Sequence, residues 1–389
     1  MIALEDGLRA LAGRKALAEE IAGLLSPASI KKALSDPHSW RRPRPCGLTI
    51  HPGFGCPNAC LYCYVSDMTG GPVEPRVLGL SGLELALALC SNPYFVPGRM
   101  GTFLAMGAVC DPFHPALTSK TLEIMEALAS WLGNPTQFST KMPIDLGLAK
   151  RLPGGLPISP LVTIVSLERA SELEPRAPPP QERLRTISNL RKAGLKPMLF
   201  LRPMIPSLLE REAEELLSEA KRAGALGVVV GSLRVSASIM RRLAGLGLDG
   251  PVRARLKRKR LGGKLVPVPS RDLRELVFSI AREKGLLVFR SACCANAYVA
   301  GVPCADLCWA RGFCTSCPNR CLEKLPPVEV EEVKRALRSA FGLDVLGVSD
   351  EGLRLAIEVR RSAEARGILD KVKKALEVAA RRLVSIRVV

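Results

Sequence analysis

Nowhere in these 389 residues does an apolar run reach the length a bilayer span requires. The opening residues, Met1-Ile-Ala-Leu-Glu-Asp6, lack the basic and apolar regions of a signal peptide. A cytoplasmic protein with no membrane partner is therefore expected. Side-chain amides are scarce, with two glutamines (Gln137, Gln181) and six asparagines, as in heat-adapted (thermophile) proteins. Acid is scarce relative to base: 37 Asp and Glu face 56 Lys and Arg, a formal net charge of +19. Heat-stable ion-pair networks need both signs, so the deficit has a further cause. A polyanionic partner, above all nucleic acid, would supply one; a solvated basic surface is the other reading. No internal repeat or low-complexity tract interrupts the chain, which sets aside repeat and disordered classes.

Cysteine, by contrast, is plentiful. In a reducing compartment thirteen cysteines point to metal or redox work rather than disulfides, and ten of them fall in two groups, three at 56–63 and seven at 293–321. The first group reads Cys56-Pro-Asn-Ala-Cys60-Leu-Tyr-Cys63, the spacing Cys-x3-Cys-x2-Cys. Iron–sulfur cubanes are normally held by four cysteines, so a loop supplying three leaves one iron open to an exogenous ligand. Gly53, Gly55 and Pro57 are expected to let the backbone wrap closely around such a core. The alternative is a zinc site with His51 or a remote cysteine as fourth ligand.

The length suits a barrel with appendages. Residues 1–46 read as one or two amphipathic helices and a Pro- and Arg-rich linker. Between 47 and 250, short apolar runs alternate with helical patterns, as a parallel βα barrel requires. Six strands are expected, at 48–51, 102–109, 137–140, 161–166, 197–201 and 227–233. Residues 251–327 hold a basic run, a strand at 286–289 and the second cysteine group. Residues 328–389 read helix, strand, strand, helix, strand, without a Gly-x-x-Gly clamp or an aromatic stacking face. The expected fold is α/β: a partial (β/α)6 TIM-type barrel with a cysteine-rich insert and a small C-terminal α+β module.

The first cysteine loop, with aromatic Tyr62 before its third cysteine, resembles the motif of the radical S-adenosylmethionine (SAM) superfamily. The resemblance continues through Val162-Thr-Ile-Val-Ser-Leu167, Glu174-Pro-Arg-Ala-Pro-Pro-Pro180, the basic stretch 183–194 and Phe200-Leu-Arg-Pro-Met-Ile-Pro206, which are similar to the spore photoproduct lyase-like branch. It covers about residues 45–235. The resemblance implies that Cys56, Cys60 and Cys63 bind a 4Fe–4S cluster whose open iron chelates SAM, and that reduction yields a 5′-deoxyadenosyl radical. It further implies an electron donor such as ferredoxin or flavodoxin. Asp111, Lys141 and Ser166 match positions around the amino-acid end of SAM, Tyr62 and Tyr64 would flank its adenine, and Cys110 lies close to the family's hydrogen-atom donor. For each, the alternative is an ordinary packing or strand-end role.

The second group contains Cys293, Cys294, Cys304, Cys308, Cys314, Cys317 and Cys321. The run Cys308-x5-Cys314-x2-Cys317-x3-Cys321 resembles fragments of auxiliary-cluster modules, so an auxiliary iron–sulfur cluster is expected there. Cys304 is a further candidate ligand, and structural zinc is the alternative. The basic run Arg253, Arg255, Lys257, Arg258, Lys259 and Arg260 is the expected contact for nucleic-acid phosphates, since like charges side by side gain little in a free loop. Together these readings describe a radical SAM enzyme acting on nucleic acid, RNA (tRNA included) ahead of damaged DNA. A peptide- or protein-modifying enzyme and a non-catalytic metal-binding scaffold are the alternatives.

Overall fold

The computed structural model describes residues 6–44, 47–257, 259–312 and 317–389. Two N-terminal helices, Gly7–Ala22 and Pro27–Ser35, start at the side-chain caps Asp6 and Ser26, which accept otherwise unsatisfied backbone N–H groups. Seven strands then form one sheet: Leu48–Thr49, Leu104–Met106, Thr136–Thr140, Ile158–Thr163, Met198–Met204, Gly227–Ser232 and Leu287–Phe289. They lie in chain order, and every neighbouring pair is parallel. Helices such as Pro115–Ala127, Pro180–Lys192 and Leu209–Arg222 make the crossovers that parallel strands demand.

The sheet has one strand more than the six expected. Leu287–Phe289 is three residues long and 55 positions beyond the preceding strand, so its pattern alone does not attach it to the barrel. Backbone contact does. Gly227 faces Leu287, and a Cβ there would lie 2.4 Å from the Leu287 carbonyl oxygen. Only glycine admits the seventh strand at this distance.

Alternation along the strands divides the core. Val162, Leu199 and Val228 join one cluster with the crossover helices. Leu161, Met198, Val229 and Phe289 face the other way, onto helix Ala292–Ala300 and the C-terminal elements. Those elements are helix Val330–Phe341, strands Val345–Asp350 and Arg354–Val359, helix Ala363–Ala380 and strand Leu383–Val388. Their three-stranded sheet pairs one antiparallel and one parallel ladder. Among the described residues, no helix is long and apolar enough to cross a membrane.

Candidate functional site

The Cys56–Cys63 loop follows the first strand of the seven-stranded sheet and is fastened from several sides. Residues Gly53–Phe54 pair antiparallel with Arg76–Val77. A Cβ on Gly53 would meet the Arg76 carbonyl oxygen at 2.4 Å, and Gly55, at φ +107°, lies against Val73 and Glu74. These glycines therefore seat the loop on the 73–76 segment, rather than serving only close approach to a core. The Leu61 N–H donates to the Leu173 carbonyl at 2.9 Å. Arg242 donates to the carbonyls of Leu61 and Cys63, both at 2.9 Å, and pairs with Asp67 at 2.7 Å. That guanidinium staples the cysteine loop to helix Ala237–Ala244.

Burial pushes the Cys56 thiol up to about 11 and the Cys60 thiol up to about 12, each within electrostatic range of Cys63 and Lys141. Burial would lower Lys141, but the charges of Cys60 and Glu174 outweigh it and raise its pKa. The Lys141 ammonium lies 5.6 Å from the Tyr62 ring centroid and 3.8 Å from Glu174, which is wholly buried. Glu174 also pairs with buried Arg183 and accepts the Tyr62 hydroxyl. One carboxylate thus anchors two cations and an aromatic behind the loop.

The donor set fits the cluster that the motif implies. Three thiols share one loop, a cation faces them, and backbone N–H groups of Asn58 and Val65 reach Cys56 and Cys63. Among the described residues no three His, Cys, Asp or Glu groups converge as ligands of a single ion would. A cubane's thiolates bind separate irons and need no such convergence.

The other site residues have structural partners of their own. Asp111 is buried and accepts from the Thr140 hydroxyl at 2.6 Å and the Lys141 and Phe113 N–H groups at 2.7 and 3.1 Å. Ser166 donates to Glu212 at 2.8 Å and accepts the Arg169 N–H at 2.9 Å. Cys110 is buried beside the loop, its thiol pushed up to about 12 by burial and Asp111, with the Gly53 N–H directed at it. Tyr64 is exposed, and its hydroxyl donates to the Ala108 carbonyl at 2.5 Å. His51, the zinc alternative's fourth ligand, sits instead beside Arg41 and His38. Burial, then those two charges, lower its pKa to about 4.

Much of the basic run is compensated by acids from elsewhere. Arg253 lies on helix Asp249–Leu256 and pairs with Asp249 at 3.1 Å. Arg255 pairs with Asp272 at 2.7 Å and Glu210 at 3.1 Å. Lys257, Lys259 and Arg260 are exposed, and Arg258 lies outside the described residues. A second basic group, invisible as a run, gathers near the cysteine loop: Arg44, Arg202 and Arg234 all act on the Tyr64 phenol. Burial lowers Arg202, and Arg234 lowers it further. A Cβ on Gly231 would strike the Arg202 side chain at 2.6 Å, so Gly231 makes the bed in which Arg202 lies.

In the second cysteine group the fold brings together thiols that are distant in sequence. Cys294, on helix Ala292–Ala300, is hydrogen-bonded by Cys293 and Cys317, which lowers its pKa, and lies within range of Cys304. Cys321 interacts with Cys304 and Cys294, and its sulfur accepts the Cys304 N–H at 3.3 Å and the Asn319 amide at 3.2 Å. Cys308 donates to Asp306 at 3.5 Å. Cys314 lies outside the described residues. Cys294 thus lies with three of the expected candidates, Cys304, Cys317 and Cys321; its distance in sequence hid that neighbourhood, although an adjacent cysteine pair was itself a signal.

No protein-family model matches the chain. It is 27% identical over 212 residues to an uncharacterised protein of Mycobacterium tuberculosis, a match covering 50% of this chain and 61% of that protein. It is 29% identical over 198 residues to an uncharacterised protein of Acidianus two-tailed virus, covering 47% and 64%. The chain thus matches under two thirds of the length of these curated relatives. Among solved structures, it resembles a spore photoproduct lyase mutant with bound AdoMet and dinucleoside spore photoproduct, with TM-score 0.50 and 20% identity, covering 62% of this chain and 76% of the other. Over that part of its length, the chain shares the fold of spore photoproduct lyase.

Proposed function

We propose that the chain is a radical SAM enzyme acting on nucleic acid, with RNA ahead of DNA. The observation that carries the reading is the three-thiol loop after the first strand of the sheet, faced by Lys141. Cys56, Cys60 and Cys63 would hold a 4Fe–4S cluster. When bound and reduced, that cluster supplies the electron that cleaves SAM to a 5′-deoxyadenosyl radical. Lys141 offsets thiolate charge and can bind the SAM carboxylate, since a cation at the end of a parallel strand suits that group. Glu174 holds Lys141 and Tyr62 in place. Buried Cys110 keeps a protonated thiol next to the loop, the form from which a hydrogen atom can leave.

The nucleic-acid part of the reading rests on the mouth arginines. Arg44, Arg202 and Arg234 have no carboxylate partner among the described residues, and all three lie within electrostatic range of exposed Tyr64. Phosphates would neutralise the cations, and Tyr64 offers a face on which a base can stack. A solved protein of the same fold carries a dinucleoside lesion, in keeping with such a substrate. The second cysteine group would hold an auxiliary centre.

The test is anaerobic reconstitution with iron and sulfide, followed by incubation with SAM and dithionite, with and without RNA or duplex DNA. Release of 5′-deoxyadenosine is expected, with RNA increasing it more than DNA and yielding a nucleoside of altered mass. Failure to release 5′-deoxyadenosine would overturn the chemistry; release indifferent to nucleic acid would overturn the substrate.

A further inference from the structure

Deepening the auxiliary centre of that reading, we infer that Cys294, Cys304, Cys317 and Cys321 form a four-thiolate metal centre, and that buried Arg381 of the C-terminal module is its counter-charge. Three independent features point to a ligand here. The first is the thiols themselves. They come from the first turn of helix Ala292–Ala300, from the segment after it and from the residues bordering the turn Cys321–Lys324. Cys294 is in hydrogen-bond contact with Cys317, and Cys321 interacts with both Cys304 and Cys294. Donors already point at sulfur: the Cys304 N–H and the Asn319 amide reach Cys321, with Asn319 oriented by Lys324 at 2.9 Å. Such N–H to sulfur bonds stabilise thiolate held by metal.

The second feature is a buried cation without an acid. Arg381 is wholly buried, and its guanidinium donates only to carbonyls: Pro303 at 3.1 Å, Gly101 at 3.2 Å, and Val378. It lies over the Phe103 ring at 5.5 Å and has no carboxylate partner among the described residues. The groups within electrostatic range of it are the Cys304 and Cys321 thiols, which would be anionic when metal-bound. Its backbone is at φ +51°, a left-handed conformation that residues other than glycine rarely adopt. Glycine is the ordinary choice after a helix end, so the strain is tolerated for a side chain that this position needs. A buried charge calls for a counter-charge. Four thiolates around a 4Fe–4S core of charge +2 leave net charge −2, and Arg381 would offset part of it.

The third feature is an orphaned donor. Trp309 is 9% exposed and packs in one cluster with Cys304, Leu307 and Cys321, yet its buried indole N–H has no hydrogen-bond partner among the described residues. Native proteins rarely leave such a donor unmatched. A thiolate or sulfide acceptor in the same pocket would match it.

The test begins from the full chain carrying Cys56→Ala, Cys60→Ala and Cys63→Ala together, so that metal retained belongs to the second group whatever becomes of the SAM chemistry. Anaerobically purified protein is analysed for iron, sulfide and zinc. About four irons with four sulfides per chain is expected, since the four thiols do not converge on one ion; about one zinc in their place would overturn the cluster. Adding Cys294→Ser should remove that metal, and adding Cys308→Ser should leave it in place. Native-state alkylation mapped by mass spectrometry covers the case of a variant that fails to fold. Cys294, Cys304, Cys317 and Cys321 should be protected until a chelator is added, and react afterwards. Absence of metal, its retention with Cys294→Ser and loss with Cys308→Ser, or labelling of the four thiols regardless of chelator would overturn the inference.

Discussion

The two cysteine groups collect their thiols in opposite ways. Cys56, Cys60 and Cys63 share eight consecutive residues, and the fold's task is to hold one loop still: Arg242 staples it, Gly53 and Gly55 seat it, and Glu174 supports Lys141 behind it. The second group draws Cys294 from a helix start and joins it to thiols as far away as Cys321, with a counter-charge 60 residues beyond in another module. A ligand set contained in a loop can be read from spacing. A set assembled by tertiary structure cannot, and the compact run Cys308 to Cys321 suggested a different quartet. The cations repeat the lesson: the contiguous run at 253–260 is partly neutralised by Asp249, Asp272 and Glu210, whereas Arg44, Arg202 and Arg234 meet only in the folded chain.

The largest expected effect separates the two groups outright. Cys60→Ala should reduce 5′-deoxyadenosine formation to background while the second centre keeps its metal, and Cys294→Ser should do the reverse, each read by product chromatography and metal analysis. Equal loss of both metals in either variant would break the distinction. Next comes Glu174→Gln, which strips Arg183 and Lys141 of their buried counter-charge. Removing one partner of a buried pair costs about 3–5 kcal/mol, measurable by urea unfolding. A cost below about 1 kcal/mol would put those cations in water instead.

A smaller effect concerns His51, whose pKa falls from 6.5 to about 4 on folding because of burial, Arg41 and His38. The unfolded chain binds the proton first as pH drops, so stability present above pH 6.5 should decline toward pH 4. The size is on the order of 3 kcal/mol at 1.36 kcal/mol per pKa unit. His51→Gln should flatten that part of the pH profile; an unchanged slope would assign it elsewhere. Smallest is the salt dependence of RNA binding. Arg202→Ala should reduce the slope of log affinity against log salt by about 1, as expected for one phosphate contact. Arg253→Ala should leave it unaltered.

What could be read beforehand follows the same physical line. Alternating apolar runs and helical patterns disclosed a parallel α/β sheet because strand and helix periods are local properties, and the helix–strand–strand–helix–strand order of the last sixty residues was legible for the same reason. The seventh strand was not, since three residues carry no periodicity and only the approach of Gly227 to Leu287 reveals their pairing. Glu174 stood in a quoted motif without a role, because its partners Tyr62, Lys141 and Arg183 are spread over 122 positions. Nothing local marked Arg242 or Arg381, whose guanidinium groups find carbonyls far along the chain.

The most direct measurement uses the variant lacking all seven cysteines of the second group, Cys293, Cys294, Cys304, Cys308, Cys314, Cys317 and Cys321, so that the first loop holds the remaining clustered thiols. Its dithionite-reduced electron paramagnetic resonance spectrum is recorded before and after SAM is added. A 4Fe–4S signal that changes on addition, followed by 5′-deoxyadenosine, is the expected result, because SAM would bind the iron left without a thiolate. A cluster signal indifferent to SAM, with no 5′-deoxyadenosine formed, would contradict the open corner on which the proposed chemistry depends.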